Sequence, residues 1–189
     1  MITNELVNVP ERTNVYRAAL KEAMGILADD ERTIFLGQTV GFPGSRFTFG
    51  TLEDIPAEKR IELPIMEDTQ MGMSIGMALE GYIPVTVYPR VDFLLLASNQ
   101  LVNHLDKMHE MSRGQHDPHV IIRAVVGSRN PIYPGPQHCQ DHTGAFTSML
   151  QRVNVTRLTQ PEQIVPAYQR ALERKGPSLL IEYGDLHFK

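Results

Sequence analysis

The stretch RIELPIMEDTQMGMSIGMALEGYIPV, residues 60–85, decides the fold. It opens on a strand-like run, Arg60–Ile65, and ends inside another, Ile83–Tyr88. Between them, residues 70–81 predict a helix. Parallel neighbours in a sheet need a crossover of a dozen residues or more, whereas antiparallel ones need only a tight turn. Strand, helix and strand in this order therefore imply a crossover connection and a mostly parallel sheet. The alternation continues on both sides. Upstream, Val15, Ala18, Ala19, Met24 and Leu27 predict one face of a helix over 14–28, followed by a buried strand at Thr33–Gly37. Downstream come a helix over Phe93–Met111, a strand over His119–Val125, a helix at 143–151, a strand at 153–158, a helix at 161–174 and a strand at 178–183. This order predicts an α/β fold, a three-layer open and mostly parallel sheet with helices on both faces. Strands covered on both sides should be buried throughout.

Gly41, Pro43, Gly44, Gly50 and Pro56 interrupt residues 38–60 and predict a long, mobile surface loop. The chain of 189 residues reads as one domain, 1–189, with an N-terminal extension at 1–13. Hydrophobic residues at 42% and charged residues at 21% exclude a disordered or fibrous chain. No run approaches the roughly 18 apolar residues of a membrane span. MITNELVNVPERTN lacks a basic start followed by an apolar core, so no export signal is expected. Cys139 is the only cysteine, which excludes an internal disulfide and fits a reducing, cytoplasmic setting. The net charge of −4 disfavours nucleic acid as a partner.

In open parallel sheets ligands bind beyond the carboxyl ends of the strands. Those ends carry Gln38 and Thr39; then Met66, Glu67 and Asp68; then Tyr88, Arg90, Asp92 and Phe93; then Arg129, Gln137, His138 and His142. An acid, an aromatic and a histidine on one edge suit a flat, nitrogen-bearing ring. Each also has an ordinary structural reading. Glu67 or Asp68 can stabilise a helix start, Phe93 can be core, and His138 can be a hydrogen-bonded loop residue. His116-x-x-His119 and His138-x-x-x-His142 lack a closed set of four ligands, so no metal site is expected in this chain. Phosphate-loop, dinucleotide and hydrolase-elbow motifs are absent. Gly72 and Gly76 share one face of the 70–81 helix. They permit either tight packing on its own sheet or a flat subunit contact among Met66, Met71, Met73 and Met77.

The ordered segments GQTVGFPG (37–44), 60–85, YPRVDF (88–93), NQLVNHLDKM (99–108) and GPQHCQ (135–140) resemble a known family. It is the pyrimidine-binding domain of thiamine diphosphate enzymes, the transketolase and 2-oxoacid dehydrogenase group. The similarity is strongest to the dehydrogenase beta subunit and runs from about residue 14 to SLLIEYGDLHF at the C-terminus. It implies that Glu67 hydrogen-bonds the cofactor's pyrimidine nitrogen, that Phe93 packs on that ring, and that His138 faces the substrate. Gln38 and Thr39 match an acidic pair of the family, so both acids are gone here and a different substrate or charge handling is implied. The family's diphosphate and magnesium motif, a G-D-G followed by paired asparagines, is not completed after Gly184-Asp185-Leu186. The resemblance therefore implies a split enzyme. A diphosphate-binding, alpha-like partner would hold thiamine diphosphate and Mg2+ in an α2β2 assembly. The expected activity is transketolase-like, cleaving or transferring a carbon–carbon bond next to a ketone of a sugar or 2-oxoacid. A split 2-oxoacid decarboxylase or dehydrogenase and a non-catalytic partner module are the alternatives.

Overall fold

The computed structural model describes residues 14–42, 45, 48–131 and 133–188. The N-terminal extension, and Pro43 and Gly44 of the 38–60 segment, lie outside the described residues. Six strands form one sheet in which every pairing is parallel: β1 (Thr33–Gly37), β2 (Arg60–Glu62), β3 (Ile83–Tyr88), β4 (Ile121–Val126), β5 (Asn154–Leu158) and β6 (Ser178–Tyr183). Their spatial order is β2-β1-β3-β4-β6-β5. The mostly parallel sheet expected from sequence is thus parallel throughout, and β3, β4 and nearly all of β6 are buried.

Helices cover both faces. On one, α1 (Val15–Asp29) packs against α6 (Pro161–Glu173) over Phe35, Val85, Ile121 and Leu180. The other carries α2 (Glu67–Leu79), the short α3 (Val91–Leu94) and α5 (Thr143–Met149), with Met71, Leu94, Leu101 and Phe146 over Ile122, Ala124 and Ile181. No helix among the described residues is long and apolar enough to cross a membrane.

Several local expectations need correction. The buried face of α1 is Tyr16, Leu20, Ala23, Met24 and Leu27, while Val15 is exposed. The Asn14 side chain accepts a hydrogen bond from the Arg17 N–H at 2.8 Å and fixes where the helix starts. The second strand stops at Glu62, ahead of Pro64, and α2 begins three residues earlier than the spacing suggested. The single helix over Phe93–Met111 is instead α3, a 3-10 turn at Leu95–Ala97, a π-helical segment at Asn99–Leu105 and α4 (Met108–Met111). The widened turn ends at Asp106, whose buried Oδ1 accepts the backbone N–H groups of Gln151, Arg152 and Val153 at 2.7–3.0 Å. The 38–60 segment is not merely a surface loop. Val40, Leu52 and Ile55 are buried in the α1 core.

Candidate functional site

The connections diverge between β1 and β3: β1 leads outward to β2 on one side, and β3 leads to β4 on the other. That reversal opens a crevice beyond the carboxyl ends of β1 and β3. The seam is tight: a Cβ at Gly37, where φ is 146°, would lie 2.5 Å from the Val87 carbonyl oxygen. Only glycine fits there. The Gln70 amide of α2 donates to Thr86 Oγ1 at 2.8 Å and to the Val87 oxygen at 3.0 Å, pinning the first turns of α2 over the crevice.

Glu67 is the first residue of α2. The Tyr88 hydroxyl donates to its backbone oxygen at 3.3 Å, and burial raises the phenol's pKa, which keeps it a donor. Glu67 is buried at 8% exposure, whereas Asp68 is exposed and receives only a 3.5 Å bond from Gln100. Neighbouring acids with the same spacing argument are thus separated by burial. No described residue donates a hydrogen bond to the Glu67 carboxylate.

Phe93 and His138 meet edge to face, with ring centroids 5.5 Å apart and planes at 86°. Two contacts hold them together. Gln140 Nε2 donates to Asp92 Oδ1 at 2.8 Å, tying α3 to the loop that carries His138. At Gly127, just past β4, an added Cβ would lie 1.7 Å from the His138 carbonyl oxygen. Gly127→Val is expected to cost about 1–3 kcal/mol and to displace the His138 loop. A thermal melt and the His138 ring resonances would show both.

Gln38 stands half-buried at the end of β1, and its side chain makes no hydrogen bond among the described residues. The structure thus joins Phe93 to His138 and places Glu67 and Gln38 at neighbouring strand ends. Sequence reasoning missed Glu62. Its carboxylate accepts the Thr39 N–H at 2.7 Å and the Gly41 N–H at 2.6 Å, so an acid from β2 sits against the turn where Gln38 and Thr39 carry none. Burial pushes the Cys139 thiol up, and its Sγ–H donates to the Ser128 oxygen at 3.2 Å. A protonated, hydrogen-bonded thiol is a poor nucleophile.

Buried side-chain atoms without a hydrogen-bond partner gather along this edge: Thr39 Oγ1, Asp92 Oδ2, His138 Nδ1 and His142 Nε2. Each such group costs about 1–3 kcal/mol unless something satisfies it. Unpaired polar groups beyond the strand ends suit a polar ligand. No group of three or more His, Cys, Asp or Glu residues converges as metal ligands among the described residues.

Comparison with known proteins decides the family. Residues 13–185 match the family described as transketolase, pyrimidine binding domain. The chain belongs to it. It is 28% identical to a chloroplastic pyruvate dehydrogenase E1 component subunit beta-4 of Oryza sativa over 168 residues, covering 87% of this chain and 41% of that protein. It is 34% identical to a 3-methyl-2-oxobutanoate dehydrogenase subunit beta of Mycobacterium tuberculosis over 107 residues, 56% of this chain and 30% of that protein. A solved structure described as a split gene transketolase, inactive beta4 tetramer, superposes with a TM-score of 0.65 at 19% identity, covering 89% of this chain and 50% of that one. The pyrimidine-binding domain thus spans about two-fifths of the length of the pyruvate dehydrogenase relatives it matches.

Proposed function

We propose that this pyrimidine-binding domain is the beta-like subunit of a two-component thiamine diphosphate enzyme with transketolase-like activity. The single observation that carries the reading is Glu67, a buried residue to whose carboxylate no described residue donates, at the switch-point crevice of a chain of this family. When bound, thiamine diphosphate supplies a carbon nucleophile and a sink for the charge left on the substrate carbon.

The residues present fit that group. Glu67 has a carboxyl group to which no described residue donates, placed to exchange a proton with the pyrimidine ring nitrogen. Phe93 offers a half-buried ring face to the same heterocycle. Gln38, at the end of β1, contributes an uncharged amide to the cofactor's surroundings. His138 has a buried Nδ1 without a partner and is the group to donate a proton or hydrogen bond to a substrate carbonyl. In this reading a separate alpha-like chain holds the diphosphate and Mg2+, and the two meet at the cofactor in an α2β2 particle in the cytoplasm.

The surface of α2 supports such assembly. Added Cβ atoms at Gly72 and Gly76 would meet nothing within 4 Å, so these glycines do not serve packing on the helix's own sheet. They leave a flat outer face flanked by Ile65, Met66, Met73 and Leu79, which are 69%, 48%, 39% and 45% exposed. An apolar face of this kind favours association. Met73→Glu is expected to weaken assembly at least tenfold while leaving the chain's melting temperature within about 2 °C, since exposed substitutions usually change stability by under about 0.5 kcal/mol. Analytical ultracentrifugation of the mixed chains checks it.

The pyruvate dehydrogenase beta-subunit relatives favour a second reading, a split 2-oxoacid decarboxylase or dehydrogenase. The test is to combine this chain with a diphosphate-binding chain and to assay ketol transfer and 2-oxoacid decarboxylation in parallel. Ketol transfer supports the proposal, decarboxylation alone supports the second reading, and neither activity in a formed complex supports a non-catalytic module.

A further inference from the structure

A second pocket lies at the opposite end of the sheet from Glu67 and His138. It is a cleft of about 560 Å³ between α6 and the amino-terminal ends of β5 and β6. Its floor is made by small or apolar groups, Ala167 and Ala171 of α6 and Leu180 of β6. Alanines at these positions leave space that longer side chains would fill. Ser178, the first residue of β6, lines the cleft and is 1% exposed, yet its hydroxyl has no hydrogen-bond partner. A buried hydroxyl without a partner beside an open cavity is a donor waiting for an acceptor.

The charge of the lining points the same way. Arg170 and Arg174 face the cleft against a single carboxylate, Glu173. Neither arginine makes an ion pair among the described residues. Arg174 is held in place by donating to the Lys175 oxygen from Nε and to the Arg152 oxygen from Nη2, both at 3.3 Å. Asn154 and Thr156 of the edge strand add polar groups to the wall. Around this cleft the sequence is locally basic. Residues 152–175 hold Arg152, Arg157, Arg170, Arg174 and Lys175 against Glu162 and Glu173, in a chain whose overall charge is −4. Guanidinium pairs are suited to planar or tetrahedral oxyanions, which they grip through two donors at once.

We propose that the cleft between α6 and the amino-terminal ends of β5 and β6 is a second ligand site that takes a small phosphate- or carboxylate-bearing molecule. Arg170 and Arg174 engage the anionic group, and the Ser178 hydroxyl donates to one of its oxygens. The site is separate from the strand-end crevice and does not depend on the proposed cofactor chemistry.

The test is a titration of the full chain followed by two-dimensional amide NMR. One arm uses inorganic phosphate and the other malonate, at constant ionic strength set with chloride. The expected result is saturable shifts at Asn154, Thr156, Arg174 and Ser178 in at least one arm. The stronger arm tells which oxyanion the site prefers. Ser178→Ala is expected to weaken binding about threefold to tenfold, and Arg170→Ala with Arg174→Ala to abolish saturation. Both variants must keep the wild-type spectrum elsewhere, and Arg174→Lys serves as the milder substitution if the double variant fails to fold. Non-saturating shifts in both arms, saturation unchanged in the arginine variants, or shifts centred on Glu67 and His138 would overturn the proposal.

Discussion

Replacing Glu67 with alanine in the assembled enzyme is expected to lower kcat by about 10²–10⁴-fold, the range a positioned proton-transfer group supplies. The fold should survive. The Glu67 carboxylate accepts no hydrogen bond from a described residue, and what ties this position down is its backbone oxygen, which takes the Tyr88 hydroxyl at 3.3 Å. The stability cost is then mainly the lost interaction of an anion with a helix start, about 0.3–1 kcal/mol. Glu67→Gln sharpens the test. It keeps size and a donor but removes proton exchange, so cofactor binding should persist while turnover falls. Asp68→Asn, on the exposed neighbour, should change kcat less than about twofold, as surface substitutions away from a site do. Steady-state kinetics, read beside thermal melts, checks all three.

The second large effect concerns stability. Arg123 of β4 and Glu182 of β6 are fully buried and face each other on the α1–α6 side of the sheet. Their contacts are Nε to Oε1 at 2.6 Å and Nη2 to Oε2 at 3.0 Å. The Tyr168 hydroxyl donates to the same carboxylate at 2.8 Å, and His187 Nε2 lies 3.6 Å from it. Arg123→Met leaves Glu182 buried without its countercharge. It should cost about 3–5 kcal/mol and lower Tm by roughly 6–20 °C for a chain of this size. Adding Glu182→Leu should restore much of the loss, because a well-packed apolar pair is often as stable as a buried ion pair. Denaturant melts of the single and double variants decide it.

The same pair sets an acid limit. Burial alone raises the Glu182 carboxyl, but Arg123 and the His187 ring outweigh it and hold the group at about 2, below its ordinary 4.5. A carboxyl depressed in the folded state stabilises above its unfolded value and loses that contribution as pH falls through the folded one. Stability should therefore decline between about pH 4.5 and 2. The Arg123→Met, Glu182→Leu double variant should lose less over that window.

Much of the architecture was legible because it follows from local pattern. Segments such as Ile83–Tyr88 and Ser178–Tyr183 are apolar on both faces, as strands between two helical layers must be. The strand-end rule points to the edge where Phe93 and His138 meet. What the sequence concealed depends on contacts between distant residues. Nothing local tells Glu67 from Asp68; the packing of Tyr88 under the first turn of α2 places one inside and leaves the other out. Nothing around Gly127 announces that the His138 carbonyl rests on it, and Asp92 finds Gln140 48 residues away. The break in the Phe93–Met111 helix is hidden for the same reason, since Asp106 serves a turn at Gln151–Val153. The Gly72 and Gly76 face was open to two readings, and their empty surroundings favour the outward one.

In the proposed enzyme Glu67 carries a proton to and from the cofactor's pyrimidine ring while a second chain grips the diphosphate. The most direct measurement is the rate at which the thiazolium C2 proton of thiamine diphosphate exchanges with deuterium in the reconstituted complex, comparing the unsubstituted chain with Glu67→Gln. Exchange is expected to be at least 100-fold slower in the variant with the cofactor still bound, within the range assigned to proton-transfer groups of this kind. Equal exchange rates in two fully loaded complexes would rule out this role for Glu67.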